Sequence, residues 1–158
     1  MPSLMPGRPG TKEAFGISLI REDLRVSIPP RALAHYGLQA DGEVVLTTTH
    51  RGEGGFALLV PDRARATVFA VYLAQLTQLE KIYWFSEKAY TLVAQKEGRL
   101  ILTPDILQAF HLGMGARLMV VKSTTVAMSF TPVEIWRAKF AQRGLCEAIE
   151  NMALLEEF

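Results

Sequence analysis

An α+β protein, with two intertwined β-β-helix-β-β units in one chain, is the fold this sequence predicts. Three observations lead there. The stretch "LRVSIPPRALAHYGLQADGEVVL", residues 24–46, returns in outline as "GRLILTPDILQAFHLGMGARLMVV" at 98–121. Short β-rich runs flank both copies. A stretch with helical spacing of apolar residues follows each of them. The chain has 158 residues, 49% of them hydrophobic and 21% charged. That is ordinary globular composition with enough apolar material for a core.

The repeat is best seen by shifting the first copy 74 positions. Arg25 then falls on Arg99, Val26 on Leu100, Ile28 on Leu102 and Pro30 on Pro104. Leu33 falls on Leu107, Tyr36 on Phe110, Leu38 on Leu112 and Val44 on Leu118. Identities are few, but the order of apolar, proline and turn positions is kept. Two copies are too few for a solenoid and suit a pseudo-twofold pair in which each half completes the other.

Element by element, both copies give the same local reading. The first strands are "FGISLI" and "YTLVAQ", and the second are "RVSI" and "RLIL". Proline ends each second strand and preorganises the start of a helix. Thr103 is positioned as an N-cap ahead of Pro104. "RALAHYG" and "DILQAFH" each make about two helical turns, with Leu33 and Tyr36, and Leu107 and Phe110, sharing a face. Gly37 and Gly113 are suited to left-handed or turn geometry at the exit. "EVVLTTT" and "RLMVVKS" are third strands; "GFALLV" and "VAMSF", reached through "HRGEGG" and "STT", are fourth strands.

The connecting stretches read as helices. Phe69, Tyr72, Leu73, Leu76, Leu79 and Tyr83 lie near one stripe, which predicts a linking helix. Thr131-Pro132-Val133-Glu134 has the form of a capping box with proline at the first helical position. Trp136 and Phe140 share a face beyond it, and Gly144 breaks the segment in two. Both stripes are expected to pack on the barrel, with a subunit interface as the alternative. The expected boundaries are a loose Pro/Gly-rich arm at 1–13, a first unit at 14–62 and a linking helix at 63–86. A second unit at 87–131 and a C-terminal helical segment at 132–158 complete the chain.

Function classes narrow by elimination. No apolar run approaches the ~20 residues of a membrane span, and the first residues lack a signal-peptide core. Cys146 is the sole cysteine, so no internal disulfide forms, and a cytoplasmic location is expected. His35, His50 and His111 have no metal-ligand spacing, "HRGEGG" matches no phosphate-binding loop, and no Gly-x-Ser-x-Gly occurs. No enzyme activity, metal or cofactor is expected. His35 is expected to be structural, and Asp41 and Glu43 to be turn residues. Net charge is only +1, but residues 145–158 carry Glu147, Glu150, Glu156 and Glu157 and no Lys or Arg. Without them 17 basic residues face 12 acidic ones, giving +5. The tail is read as a solvated helix face or a contact for a protein partner.

The hairpin–short helix–hairpin unit resembles the swapped-hairpin DNA-binding domain of the AbrB/SpoVT transition-state regulators. Two such units about 75 residues apart resemble the tandem arrangement of the MraZ transcriptional regulators. That pattern runs roughly Gly-Arg-apolar-x-apolar-Pro-x-Arg. "LRVSIPPR" fits it with Leu24 in place of Gly; "GRLILTPD" keeps Gly98 and Arg99 but has Thr103 and Asp105 where Pro and Arg would stand. The resemblance implies a swapped-hairpin β-barrel, a homo-oligomer and transcription regulation at the nucleoid. It also implies binding of double-stranded DNA. Arg25, Arg31 and Arg99 match the family's basic positions. Arg21 and Lys96 flank them in the turns "REDLR" and "QKEGR" and are added because cations there would grip phosphate. The short helices lack further arginines, and Glu22, Asp23, Glu97 and Asp105 intrude. Asp41-Gly42 and Gly115-Ala116 replace the family's Gly-Asp turn. An interaction scaffold of the same fold that does not bind DNA is the alternative. For that reading the arginines would be scattered or paired with those acids.

Overall fold

The computed structural model describes residues 14–49 and 53–158. The arm expected at 1–13, and His50 with the start of the loop "HRGEGG", lie outside the described residues. Among the described residues, nine strands form one antiparallel, nearly closed barrel-like sheet. The first half supplies β1 (Ala14–Leu19), β2 (Arg25–Ser27), α1 (Pro30–Tyr36), β3 (Gly42–Thr48) and β4 (Phe56–Leu59). Next come α2 (Pro61–Ala64), α3 (Ala70–Leu73) and β5 (Ile82–Phe85). The second half supplies β6 (Lys88–Lys96), β7 (Arg99–Ile101), α4 (Pro104–Ala109), β8 (Arg117–Lys122) and β9 (Ala127–Pro132). Helices α5 (Val133–Gln142) and α6 (Cys146–Met152) end the chain.

The strand order is β1-β8-β9-β4-β3-β6-β7-β2, with β5 added to β6. Each half therefore lends its first strand to the other: β1 pairs with β8, and β6 with β3. The remaining cross-pairs, β2 with β7 and β4 with β9, join like to like. The ring comes close to shutting where Ser18 Oγ donates to the Ser27 carbonyl at 2.6 Å, linking β1 to β2.

Register makes the symmetry quantitative. The pairs Ile17–Met119, Ser18–Leu118 and Leu19–Arg117 correspond to Leu92–Val45, Val93–Val44 and Ala94–Glu43. First strands thus correspond at a shift of 75 rather than 74, because the first hairpin turn holds one more residue. The second turn is a two-residue Glu97-Gly98 link between Lys96 and Arg99. The first runs Glu22-Asp23-Leu24, with Arg21 N–H donating to the Arg25 carbonyl at 3.2 Å. Leu24 and Gly98 are equivalent, and both are left-handed, at φ 60° and 75°. Their carbonyls accept equivalent bonds, from Leu102 N–H at 3.0 Å and Ile28 N–H at 2.8 Å. A glycine takes that conformation freely; a leucine does so at a cost of about 1–2 kcal/mol.

The barrel interior is one apolar cluster drawn from both halves, including Val26, Val44, Phe56, Leu100, Leu118 and Phe130. Phe56 and Phe130 face each other across the β4–β9 pair and stack at 4.8 Å. Two further clusters lie on the outside. Helices α5 and α6 cover β1 and β8 through Trp136, Phe140 and Met152 against Ile17, Met119 and Val121. The 61–85 segment covers β3, β4 and β6 through Ala64, Leu76, Tyr72 and Phe85 against Val45, Leu59 and Tyr90. The symmetry extends to these covers. Residue 157 bridges Ile17 in parallel, and Leu79 bridges Leu92, the equivalent of Ile17, in the same way.

Three expectations are corrected. The linking segment 63–86 is two single helical turns and a strand. The striped residues Phe69, Tyr72, Leu73 and Leu76 do face the core, but Thr67 Oγ1 accepts from Phe69 N–H and restarts the chain. The β-prone run Ile82–Phe85 then pairs with β6. The capping box at Thr131 is not made: Thr131 remains in β9 opposite Met119, and α5 starts at Val133 without a side-chain cap. Glu43, expected in a turn, instead lies within β3, paired with Ala94. At the exit of α4 His111, at φ 57° and equivalent to Gly37 at φ 63°, is the left-handed residue, and Gly113 begins the following turn, its carbonyl accepting from Ala116 N–H at 3.2 Å. The Thr103 cap is made, with Oγ1 accepting from Ile106 N–H at 3.2 Å, and Gly144 separates α5 from α6 at φ 66°.

Candidate nucleic-acid interface

Inward and outward positions alternate along a strand, so the buried residues of β2 and β7 fix where their arginines point. Val26 and Leu100 are fully buried, directly opposite one another. Arg25 and Ser27 therefore face outward on β2, and Arg99 and Ile101 on β7. Arg25 stands opposite Ile101, and Arg99 opposite Ser27. The two arginines are diagonal neighbours on one face, about 7–8 Å apart at Cα.

The flanking strands add a cation on each side. Lys96 pairs with Arg99 across β6 and β7 and is exposed, while its neighbour Gln95 is buried. Arg21 is exposed, follows buried Ile20, and meets Arg25 at the neck of the first turn. Arg21 corresponds to Lys96 at the shift of 75, and Arg25 to Arg99 at 74. Four cations thus form a pseudo-twofold group on the outer surface of the β1-β2-β7-β6 ribbon. The axis passes between Val26 and Leu100. The two outer covers lie over β1 with β8 and over β3 with β4 and β6, and neither includes a residue of β2 or β7.

Arg31, the fifth expected residue, is exposed in the first turn of α1 and belongs to a helix rather than to this strand face. Its equivalent on α4 is Asp105, so the symmetry of charge is broken there. Ser27 was not singled out from the sequence. It fills an outward position opposite Arg99, and strand alternation from Val26 would have found it.

Two of the acids, Asp23 and Asp41, bond to the turns. Asp23 Oδ1 accepts from Arg25 N–H at 3.1 Å, and its carboxylate lies 4.0 Å from the Arg25 guanidinium. Both side chains are exposed, so the ion pair contributes little. Asp41 Oδ1 accepts from Glu97 N–H at 3.0 Å and Ala40 carbonyl from Gly98 N–H at 2.9 Å, pinning the second turn to the loop before β3. Asp41 is accordingly a turn residue. His35 packs edge-on to Tyr36 at 4.9 Å and tilted on Phe15 at 5.6 Å, a structural role.

Among the described residues no group of three or more His, Cys, Asp or Glu is arranged to hold a metal, and no helix is long and apolar enough to cross a membrane. The sequence matches no protein-family model, and no curated protein matches it significantly.

Proposed function

We propose that this chain is a DNA-binding transcriptional regulator of the AbrB/MraZ type, and that its sheet is the swapped-hairpin barrel of that class. It is not an enzyme on this reading, acts at the nucleoid, and grips duplex DNA as a homo-oligomer. The observation that supports the reading is the two-fold set of Arg21, Arg25, Arg99 and Lys96 on one outward face, with Arg25, Arg99 and Lys96 in the paired strands β2, β7 and β6 and Arg21 just beyond β1 at the neck of the first turn. Duplex DNA has a matching local two-fold symmetry in its backbones. Guanidinium forks suit phosphate oxygens and guanine edges. Exchange of the first strands between halves also supports the class.

A scaffold without DNA binding draws support from Asp23 beside Arg25 and from exposed Glu22 and Glu97 at the turn tips. A fluorescence-anisotropy titration with random and genomic duplexes at several salt concentrations separates the two. Four phosphate contacts per chain predict a log–log salt slope of about −3 to −4 per chain bound. No binding at low salt would overturn the DNA reading.

A further inference from the structure

Among the described residues, strand β5 pairs on one side only, with β6. The pairing register fixes which of its backbone groups are unused. A two-residue turn, Ser86-Glu87, with φ values of 50° and 69°, closes on the Phe85–Lys88 pair. Phe85 and Tyr83 therefore direct their N–H and C=O groups at β6, and Ile82 and Trp84 direct theirs to the open edge. The Ala89 N–H agrees with this phase, since it points away from β5 and donates to Thr48 Oγ1 on β3 at 2.9 Å.

The side chains match this open edge. Trp84 is 61% exposed, on the opposite face of β5 from Tyr83 and Phe85. Val68, Val71 and Leu79, at 81%, 66% and 47%, belong to the same 61–85 segment. Four of the six large exposed apolar residues among those described thus fall on this one connection, and only Leu154 on the equivalent C-terminal cover. An open edge beside exposed apolar side chains is a template for another strand.

We infer that β5 is a self-association edge, and that a second copy of this chain adds its own β5 antiparallel to it, continuing the sheet across a two-fold axis. Three symmetric registers satisfy the hydrogen-bonding phase: axes through residue 82, 83 or 84. An axis at 82 draws in Glu80, which is left-handed at φ 65° and already bonded to Leu92. An axis at 84 draws in Ser86 of the turn. Only the axis at Tyr83 keeps its hydrogen-bonded pairs wholly within the strand. It sets Ile82 against the partner's Trp84 twice, and Tyr83 against its own copy. Lys81 then falls opposite the partner's Phe85, with the partner's Glu87 in the turn just beyond, so the flanking charges are complementary. The proposal stands whether or not the chain binds DNA.

The test is made on the full chain without DNA. Sedimentation velocity over a wide concentration range should show reversible association for the wild type. Trp84→Lys should weaken it at least tenfold while the thermal melt at dilutions where both proteins are monomeric stays unchanged. Register is read by mild oxidation in a Cys146→Ser background. Tyr83→Cys should give a disulfide-linked dimer, because residue 83 meets itself at a close non-hydrogen-bonded position. Trp84→Cys should link far less. A monomeric wild type, association untouched by Trp84→Lys, or linkage equal at the two positions would each overturn the inference.

Discussion

The Tyr36 hydroxyl at the end of α1 reaches across 91 residues of sequence to the Ala127 carbonyl of β9, at 2.8 Å. The Thr124 carbonyl lies 3.0 Å from the same oxygen. A buried side chain of the first half thereby fixes the β8–β9 loop of the second. Its equivalent, Phe110, has no hydroxyl and packs on Phe56 at 5.7 Å instead.

Tyr36→Phe keeps the ring and loses that link. The Ala127 carbonyl keeps bonds from Ser123 and Thr124 N–H, so no acceptor is stranded there. The expected loss is about 0.5–1.5 kcal/mol with an unchanged urea m-value. A loss above about 3 kcal/mol would mean the hydroxyl does more than bridge the halves.

Residues 1–86 and 87–158 expressed separately should each be poorly folded or self-associating. Each piece lacks the strand that its first strand pairs with, leaving open edges. Circular dichroism and light scattering check this. Two well-behaved monomeric halves would contradict the exchange of first strands.

The left-handed positions predict effects of opposite sign. At φ 75°, Gly98→Ala introduces strain and brings a Cβ within 3.3 Å of Leu33 Cδ1, for an expected loss of about 1–2 kcal/mol. At φ 57°, exposed His111→Gly relieves comparable strain at some cost in chain entropy, for an expected gain of about 0.5–1 kcal/mol. Denaturant melts of both variants read the difference.

Much of this was legible from the repeat and from punctuation. The shift of 74 paired Arg25 with Arg99, and Thr103, Gly37 and Gly144 act as their residue types require. What was not legible depended on strand pairing, even between near neighbours in sequence. Thr131 looks like a cap until Met119 claims its backbone for β9. The stripe from Phe69 to Leu76 is real, but tertiary pairing with β6 turns Ile82–Phe85 into a strand. For the candidate site, residue types pointed to the five cations. Strand register then gathers Arg21, Arg25, Arg99 and Lys96 on one face and leaves Arg31 on α1.

Arg25→Ala and Arg99→Ala should weaken DNA binding by similar factors, since the two are symmetry mates. For phosphate contacts, each change should reduce the salt slope by about 0.9 per chain and act alike on all sequences. For a guanine contact, the loss should be about 1–3 kcal/mol and confined to particular sequences. Asp23→Asn should strengthen non-specific binding. Anisotropy titrations of the three variants decide, and unchanged binding in both arginine variants would favour the scaffold.

Deleting residues 156–158 should cost about 2–4 kcal/mol, on the basis of three lost backbone bonds and an exposed ion pair. Ile17 N–H donates to the Glu156 carbonyl at 2.8 Å, Leu19 N–H to Phe158 at 3.1 Å, and Phe158 N–H to Ile17 at 2.7 Å. Arg117 holds Glu157 at 2.7 Å. A Cβ on Gly16 would meet Phe158 Cε2 at 2.7 Å, so Gly16→Ala should be costly in the full chain and less so in the truncated one, where the clash is gone but the strain of φ 142° remains. Additive effects in a double-mutant cycle would show that the two features are unrelated.

The exchange of first strands also sets a timetable for biosynthesis. Ile17 of β1 finds its partner Met119 only after about 100 further residues have left the ribosome, roughly 5–20 s at ordinary elongation rates. Through that interval the apolar strand "AFGISL" has no native neighbour, and β3 waits similarly for β6. The nascent chain is therefore an aggregation hazard that the finished barrel is not. Its yield should depend on holdase chaperones and on translation speed far more than its melting temperature suggests.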